Sequence, residues 1–461
     1  MIVSIILAAG EGTRMLSDKP KVLHKICGKS LAGFVVDACK KAGIEKNVLV
    51  LGHGKEKVKK AYENTNLVFV EQAMGDGNPY GTGFAVKCAI GEISDEDRVI
   101  VLNGDTPLID SETLKKLLNY KLDENLAAII LTAKFENPFG YGRIVRDEFG
   151  NVERIVEEKD ASEAEKNICE VNSGIYVFDG KKLKECINKI SCNNAKNEMY
   201  LTDIIEILKS RGEIIGAYML EDKNEIFGIN SKVELAEAAR ILREKINREF
   251  MASGVILIDP ASTYIDVGVK IGRDTIIYPG SFIEGKTSIG EGVEIIGSTR
   301  IVNSEIGDGS HIESSLIEDS KIGAGVKLGP YAHIRPNSTI EDGVKVGNFV
   351  EVKNSTLQSG TKASHLTYIG DADVGRDVNF GCGTITVNYD GKNKFRTKIE
   401  DGAFIGCNAN LIAPVEIGKD AFIAAGSTIT DKVSGGELAI ARSKQKNIIG
   451  WVKKVQKEDE R

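Results

Sequence analysis

Three groups of residues in this chain could do chemistry. The apolar run IVSIILAA at 2–9 ends in GEGTRM. Gly10 and Gly12 let a ligand approach the backbone, while Arg14, Lys19 and Lys21 bring cations to one side through SDKPKVL. A strand followed by a glycine loop is where α/β proteins hold phosphates. Neither common fingerprint fits, because Met15 stands where a dinucleotide loop needs Gly and no Gly-Lys-Ser/Thr is present. A βα turn with solvated charges is the competing reading. The second candidate is Asp105, directly after VIVLNG. It either caps the helix TPLIDSETL or, since Asp110 or Ser111 can do that, is free to bind a metal ion. The third is His365 in ASHLTY. An imidazole with an ordinary pKa of ~6.5 suits a general base at neutral pH, although a lone histidine there also fits a structural or exposed role.

The elements that must position these residues follow from periodicity. Runs at 47–52, 67–72, 98–105 and 127–135 are nearly continuous in apolar and β-branched residues, with helical stretches between the early ones. They predict a mostly parallel sheet covered on both faces, with ligands at the carboxyl ends of its strands. A hairpin is expected over 142–160, a helix in EMYLTDIIEIL and a closing strand in EIFGIN, which ends at Asn230. Ser231 and Glu234 then make a capping box, and Leu235, Ala239, Leu242, Ile246 and Phe250 form one apolar helical stripe as far as Gly254. The predicted division is an α/β domain at 1–232, a linker helix at 233–253 and a third part at 254–461.

In that third part an aliphatic side chain returns every sixth residue, as in Ile271, Ile277, Ile283, Ile289, Ile295, Ile301 and again in Ile399, Ile405, Leu411, Ile417, Ile423, Ile429. No helix or hairpin has that period. Short strands separated by turns and stacked as a solenoid do, each coil burying its aliphatics only against its neighbours. Roughly ten triangular coils at ~4.8 Å per strand give a prism about 50 Å long. Spacing of five at Ile301 to Ile306 and at Ile312, Ile317, Ile322 predicts tightened corners. The stretch Asn388 to Lys398, built on YDGKNKFRTK, breaks the count and is expected to leave the prism as a loop.

Composition sets the remaining limits. At 461 residues the chain needs more than one core. A net charge of −7 argues against a general nucleic-acid binder. The first apolar run lacks a basic flank, so a signal peptide is not expected, and no apolar run is long enough to span a membrane. The eight cysteines lack CxxC spacing and read as reduced thiols of a cytoplasmic protein. The basic tail ARSKQKNIIGWVKKVQKEDER carries no core pattern.

LAAGEGTRM, PKVL, GTG, NGD, GYGRIV, EEKD, VNSGIY, YLTD and GIN, in that order, make the first half similar to sugar-nucleotide pyrophosphorylases. With GPYAHIRP, GNFVEVK, ASHLTYIGD and GCGTITVNYDG in the second half, residues 2 to 450 resemble the bacterial bifunctional N-acetylglucosamine-1-phosphate uridylyltransferase / glucosamine-1-phosphate N-acetyltransferases. The resemblance implies a Rossmann-like nucleotidyltransferase domain, a linker helix and a left-handed parallel β-helix. It implies acetyl transfer from acetyl-CoA to glucosamine-1-phosphate, then uridylyl transfer from UTP with release of pyrophosphate. Mg²⁺ is the implied metal and a homotrimer the implied assembly, with the acetyl site shared between subunits and neither nucleic acid nor membrane as partner.

Residue by residue, Arg14 and Lys21 match the triphosphate-facing cations, and the backbone from Leu7 through Ala8 and Ala9 to Gly10 matches the nucleotide cradle. Asn103 and Gly104 belong to the same site, and Asp105 and Asn230 match the Mg²⁺ ligands. Gln72, Gly81 and Thr82 correspond to the uracil-reading residues. Gly142, Glu157 and Asn172 correspond to the sugar-binding set, with Lys159 near enough to help with phosphate. One departure is AMGDGNPY between Gln72 and Gly81, which is longer than usual and carries Pro79 where an amide is common.

In the β-helix, His365 matches the general base and Glu351 a residue that would orient it. Arg335, Lys353, Tyr368, Asn379, Asn388 and Tyr389 match contacts to the sugar phosphate and acetyl group. Cys382, Cys407, Ala425 and Arg442 match acetyl-CoA positions, the two cysteines replacing small residues more usual there. Two rival readings are a monofunctional nucleotidyltransferase whose prism is structural or regulatory, and an inactive scaffold. The His365, Lys353, Arg335 and Asn388 set argues against the first, and Arg14, Lys21 and Asp105 against the second.

Overall fold

A computed structural model describes residues 1–75, 79–121, 124–192, 194 and 197–452. Most of the insertion before Pro79, and the last nine residues of the basic tail, lie outside them. The chain divides into two compact units, Met1–Leu242 and Arg243–Arg461. The helix Lys232–Ala252 runs across the boundary.

The first unit is built on a sheet in the order Ile215–Met219, Ala128–Lys134, Glu170–Asp179, Arg98–Asn103, Ile2–Ala8, Lys46–Leu51, Val68–Glu71. Strand alternation divides its apolar residues between two faces. Ile5, Val48, Val50 and Val101 enter one core, and Ile6, Leu49, Leu51, Ile100 and Leu102 the other. Both faces are therefore dry, as the continuous apolar runs require. Neighbours of Ile2–Ala8 are parallel to it, whereas Glu170–Asp179 is antiparallel to both of its neighbours. Its pairing with Ala128–Lys134 shifts register between Asn172 and Tyr176. The hairpin is present as Arg143–Arg146 paired with Val152–Val156.

EIFGIN departs from expectation. Lys223–Ile226 forms a 3-10 turn, with the Asp222 carboxylate accepting from the Asn224 N–H, and no strand follows. The apolar run, Ile226–Phe227, is only two residues long before Gly228, and the Asp cap competes successfully with extension. At Ser231 one half of the expected box forms, and the return bond is displaced by one residue. Glu234 N–H donates to Ser231 Oγ at 3.2 Å, while the Glu234 carboxylate accepts from the Asn230 N–H at 2.7 Å.

The second unit holds three parallel sheets of 11, 10 and 9 short strands. Ile277 lies opposite Ile295, Ile295 opposite Ile312 and Ile312 opposite Leu328, so like residues stack in columns and are fully buried. Where the aliphatic spacing falls to five, the corners tighten through Asn303, Ser314 and Asp319, all at positive φ (48°, 40° and 42°). The stretch after Asn388 does leave the stack. Val374 pairs with Ile399, and Tyr389 bridges to Lys394 across the excursion. Because each coil lacks a core of its own, Ile317→Ala is expected to lower stability by about 2–5 kcal/mol. Urea unfolding followed by circular dichroism measures it.

Candidate active sites

The carboxyl ends of the first unit's strands enclose a cavity of about 200 Å³. Leu7 lies opposite Asn103 on adjacent strands, and Gln72 N–H donates to Leu51 O at 2.7 Å. Parallel neighbours thus deliver their terminal residues to one place. Leu7, Ala8, Ala9, Gly10, Lys21, Gln72, Gly81, Thr82, Asn103 and Asp105 all line the cavity. Gly104 supports it from behind, where a Cβ would come within 2.9 Å of Leu7 O. Gly12 is needed for a different reason. Its φ is +64° and a Cβ would stand 2.8 Å from Lys21 Cβ, in the path of the side chain that reaches the cavity.

Lys21 Nζ donates both to Asp105 Oδ2 and, at 3.1 Å, to Asn230 Oδ1. One anionic and one neutral oxygen therefore converge on a single cationic position, a donor set suited to a hard divalent ion. Asp105 is not spent on capping, because Asp110 accepts from Glu112 N–H at 3.0 Å. Ile229 N–H donates to Asp105 O at 3.1 Å, which fixes the chain leading to Asn230.

The convergence expected of Arg14, Lys19 and Lys21 is not realised. Lys21 alone of the three lines the cavity, and Arg14 lies exposed on the 3-10 turn Thr13–Met15. Tyr80 and Glu198 also line the cavity and were not anticipated. Met199 N–H donates to Tyr80 O at 2.7 Å and Gly83 N–H to Met199 O at 2.8 Å, so the segment before YLTD is part of the rim. The sequence signal was that motif, read only as a helix; the helix starts later, at Asp203.

Gly142, Glu157 and Asn172 come together as a second group. A Cβ on Gly142 would lie 3.5 Å from Glu157 Oε1 and 3.6 Å from Asn172 Cβ, and Asn172 N–H donates to Gly142 O at 2.9 Å. Within the register shift, Gly174 abuts Asn103 Nδ2, which links this group to the cavity wall. Lys159 is exposed. Thr202 Oγ1 is buried with no hydrogen-bond partner among the described residues, and Thr202 does not line the cavity.

Burial, then the charges of Glu206, Glu157 and Asp160, push the Asp203 carboxyl up to about 6. The native chain therefore keeps a proton there that the unfolded chain sheds near its ordinary pKa of ~3.9. Stability falls as pH rises through the window between them. Asp203→Asn is expected to remove that part of the slope, read from urea midpoints across the window.

In the second unit, His365 is the exposed last residue of Lys362–His365. Ala363 pairs with Phe380, Phe380 with Ile405 and Ile405 with Ile423. Two residues further on, His365, Cys382, Cys407 and Ala425 hold the same corner of four successive coils, each followed by a residue at positive φ: Leu366, Gly383, Asn408 and Gly426. Arg442 Nη1 donates to Ala425 O at 2.8 Å and extends this edge. Asn379 stacks on Lys362 in the same sheet.

Glu351 is placed differently from expectation. It belongs to another sheet, opposite Tyr368, and its carboxylate accepts from Arg335 Nη1 at 2.8 Å. Within the chain it holds Arg335 instead of orienting the imidazole. Asn388 is buried and donates to Asp371, which also accepts from Asn354 Nδ2 at 2.5 Å. Burial opposes ionisation of Asp371, but these two amides outweigh it and hold its pKa low, with help from the charge of Lys353. Tyr389 is exposed on the excursion, which is held by Asp390 accepting from Lys392 N–H and Asn393 N–H and by Phe395 N–H donating to Asn388 O at 2.9 Å.

Comparisons with known proteins agree with this two-part layout. A family model described as a MobA-like NTP transferase domain matches residues 4–167. The bacterial transferase hexapeptide model, of six repeats, matches 319–354 and 396–431. Among similar proteins, one named "Bifunctional protein GlmU" from Geobacillus sp. (strain WCH70) is 55% identical over 451 residues, covering 97% of each chain. Another of that name from Clostridioides difficile (strain 630) is 50% identical over 458 residues, covering 99% of each.

Proposed function

The chain belongs to the bifunctional GlmU family, joining a nucleotidyltransferase domain to a left-handed parallel β-helix of hexapeptide repeats, and from that premise we propose how its residues divide two reactions. The enzyme acetylates glucosamine-1-phosphate from acetyl-CoA, then joins the product to UTP, releasing pyrophosphate and UDP-N-acetylglucosamine. Residues 1–232 carry uridylyl transfer, 233–253 link, and 254–461 carry acetyl transfer.

In uridylyl transfer an anionic sugar phosphate attacks the α-phosphorus of a polyanion, so the site must first neutralise charge. Lys21 supplies a cation inside the cavity, and Arg14 adds one from the turn after the glycine loop. The cradle from Leu7 to Gly10 holds the nucleotide, while Gln72, Gly81 and Thr82 read uracil. Gly142, Glu157 and Asn172 receive the sugar hydroxyls. Asp105 and Asn230 would hold Mg²⁺, which when bound offsets phosphate charge. No side-chain nucleophile is required, because in-line positioning and electrostatics suffice.

For acetyl transfer, His365 takes the proton from the amine of glucosamine-1-phosphate as it attacks the thioester carbonyl. Arg335 and Lys353 face the sugar phosphate, with Tyr368, Asn379, Asn388 and Tyr389 around the acetyl group. Cys382, Cys407 and Ala425 line the bed of acetyl-CoA, and Arg442 suits one of its phosphates. The observation that supports this half is the shared corner of His365, Cys382, Cys407 and Ala425, since on this reading base and thioester lie side by side. The experiment is to supply acetyl-CoA, UTP, Mg²⁺ and glucosamine-1-phosphate and assay UDP-N-acetylglucosamine. Product from UTP and preformed N-acetylglucosamine-1-phosphate, but none from glucosamine-1-phosphate, would reduce the chain to a monofunctional nucleotidyltransferase.

The enzyme acts as a cytoplasmic homotrimer. Supporting this, Tyr331, Phe349 and Leu366 stand exposed at positive φ along the edge that leads to His365, and Tyr331 stacks on Phe349 with ring centroids 5.5 Å apart. Bulky residues in that conformation cost free energy, and a subunit contact gives it back. Phe349→Asp is expected to shift the mass seen by light scattering from trimer toward monomer and to lower acetyl transfer with it.

A further inference from the structure

Of the eight cysteines, Cys382 and Cys407 alone fall in the second unit. Both stand on the corner that carries His365, in adjacent coils. Asn408 N–H donates to Cys382 O at 2.8 Å, so the two coils are tied at this point. Stacking at ~4.8 Å puts the two Cα atoms inside the ~4.4–6.8 Å that a disulfide spans. Cys407 is exposed and Cys382 half-buried. Neither thiol has a hydrogen-bond partner among the described residues, in contrast to Cys27, Cys169 and Cys186. Small residues would fill these corners as well, as Ala425 does one coil on. Packing therefore does not account for two adjacent thiols.

We propose that Cys407 and Cys382 form a dithiol modification site for disulfides that carry a coenzyme A half, and that its oxidation shuts off acetyl transfer. The proposal rests on the reading that this edge seats acetyl-CoA, since the contacts that bring the thioester would bring such a disulfide to the same corner. Cys407 Sγ, having given up its proton, bonds to one sulfur of coenzyme A disulfide. The S–S bond breaks, and the first coenzyme A leaves as a thiolate that takes up a proton. Cys382 Sγ, likewise deprotonated, then attacks Cys407 Sγ, breaking the mixed disulfide, releasing the second coenzyme A thiol and closing the Cys382–Cys407 bridge. The protein dithiol loses two electrons and the small disulfide gains them, becoming two thiols. The bridged pair alters the corner on which the thioester must lie, beside the base.

The test treats the full chain with coenzyme A disulfide, with oxidised glutathione as comparator, followed by peptide mass mapping and assays of both activities. A Cys382–Cys407 bridge is expected, with acetyl transfer falling about tenfold or more, uridylyl transfer unchanged and dithiothreitol restoring the loss. Coenzyme A disulfide is expected to act at about tenfold lower concentration than oxidised glutathione, equivalent to roughly 1.4 kcal/mol of added recognition. Cys382→Ser is expected to stop at a coenzyme A adduct on Cys407. Cys407→Ala, compared with its own untreated rate, is expected to resist inactivation. The proposal is overturned if neither bridge nor adduct forms, if the bridge forms with acetyl transfer intact, or if Cys407→Ala is inactivated as fast as the parent. Untreated enzyme without acetyl transfer would instead overturn the reading beneath it.

Discussion

Replacing His365 with alanine is expected to lower acetyl transfer by roughly 10²–10⁴-fold and to leave uridylyl transfer unchanged. The amine of glucosamine-1-phosphate attacks only when neutral and must lose a proton as the amide forms. His365 is the histidine that shares a corner with the proposed acetyl-CoA positions. His311 and His333 are each paired with a glutamate on other strands, Glu294 and Glu318. Separate assays of the two half-reactions decide the matter. Equal loss of both would point to misfolding, and unchanged acetyl transfer would remove His365 from the mechanism. Because Glu351 is held by Arg335, Glu351→Gln is a useful companion. If its role is to hold Arg335, the variant should raise the KM for glucosamine-1-phosphate more than it lowers kcat.

Asp105→Ala is expected to produce the opposite pattern, with uridylyl transfer falling by about 10²–10³-fold and acetyl transfer retained. The carboxylate is one of two oxygens that meet at the Lys21 ammonium, the other being Asn230 Oδ1. Its removal leaves Asn230 as the lone, neutral oxygen at that position and the Lys21 ammonium held by that amide without a counter-charge. Weaker Mn²⁺ binding, followed by electron paramagnetic resonance, should accompany the loss of rate. Full activity in the variant would exclude Asp105 as a metal ligand.

Much of this was legible in the residues because the signals were periodic or terminal. Sixfold repetition names a solenoid whatever the side chains between, and the five-residue slips at Asn303, Ser314 and Asp319 became tight corners. Strand ends gathered Leu7, Gln72, Asn103 and Asp105 because a parallel sheet delivers all its carboxyl ends to one side. The misses were tertiary or local. Glu198 and Tyr80 reach the cavity through backbone bonds at Met199, between segments far apart in sequence. Glu351 is the residue expected to orient His365, but fourteen residues along a triangular coil carry the chain to a different face. EIFGIN failed as a strand because an aspartate two residues upstream of Asn224 captured the backbone first.

The common corner of His365, Cys382, Cys407 and Ala425 makes that edge a ruler graduated in whole coils. Any lengthening or shortening that keeps the prism intact must move the proposed base relative to the proposed thioester bed by an entire rung of ~4.8 Å. Drift in this half of the protein is therefore free to change side chains along the edge but not the number of turns between them.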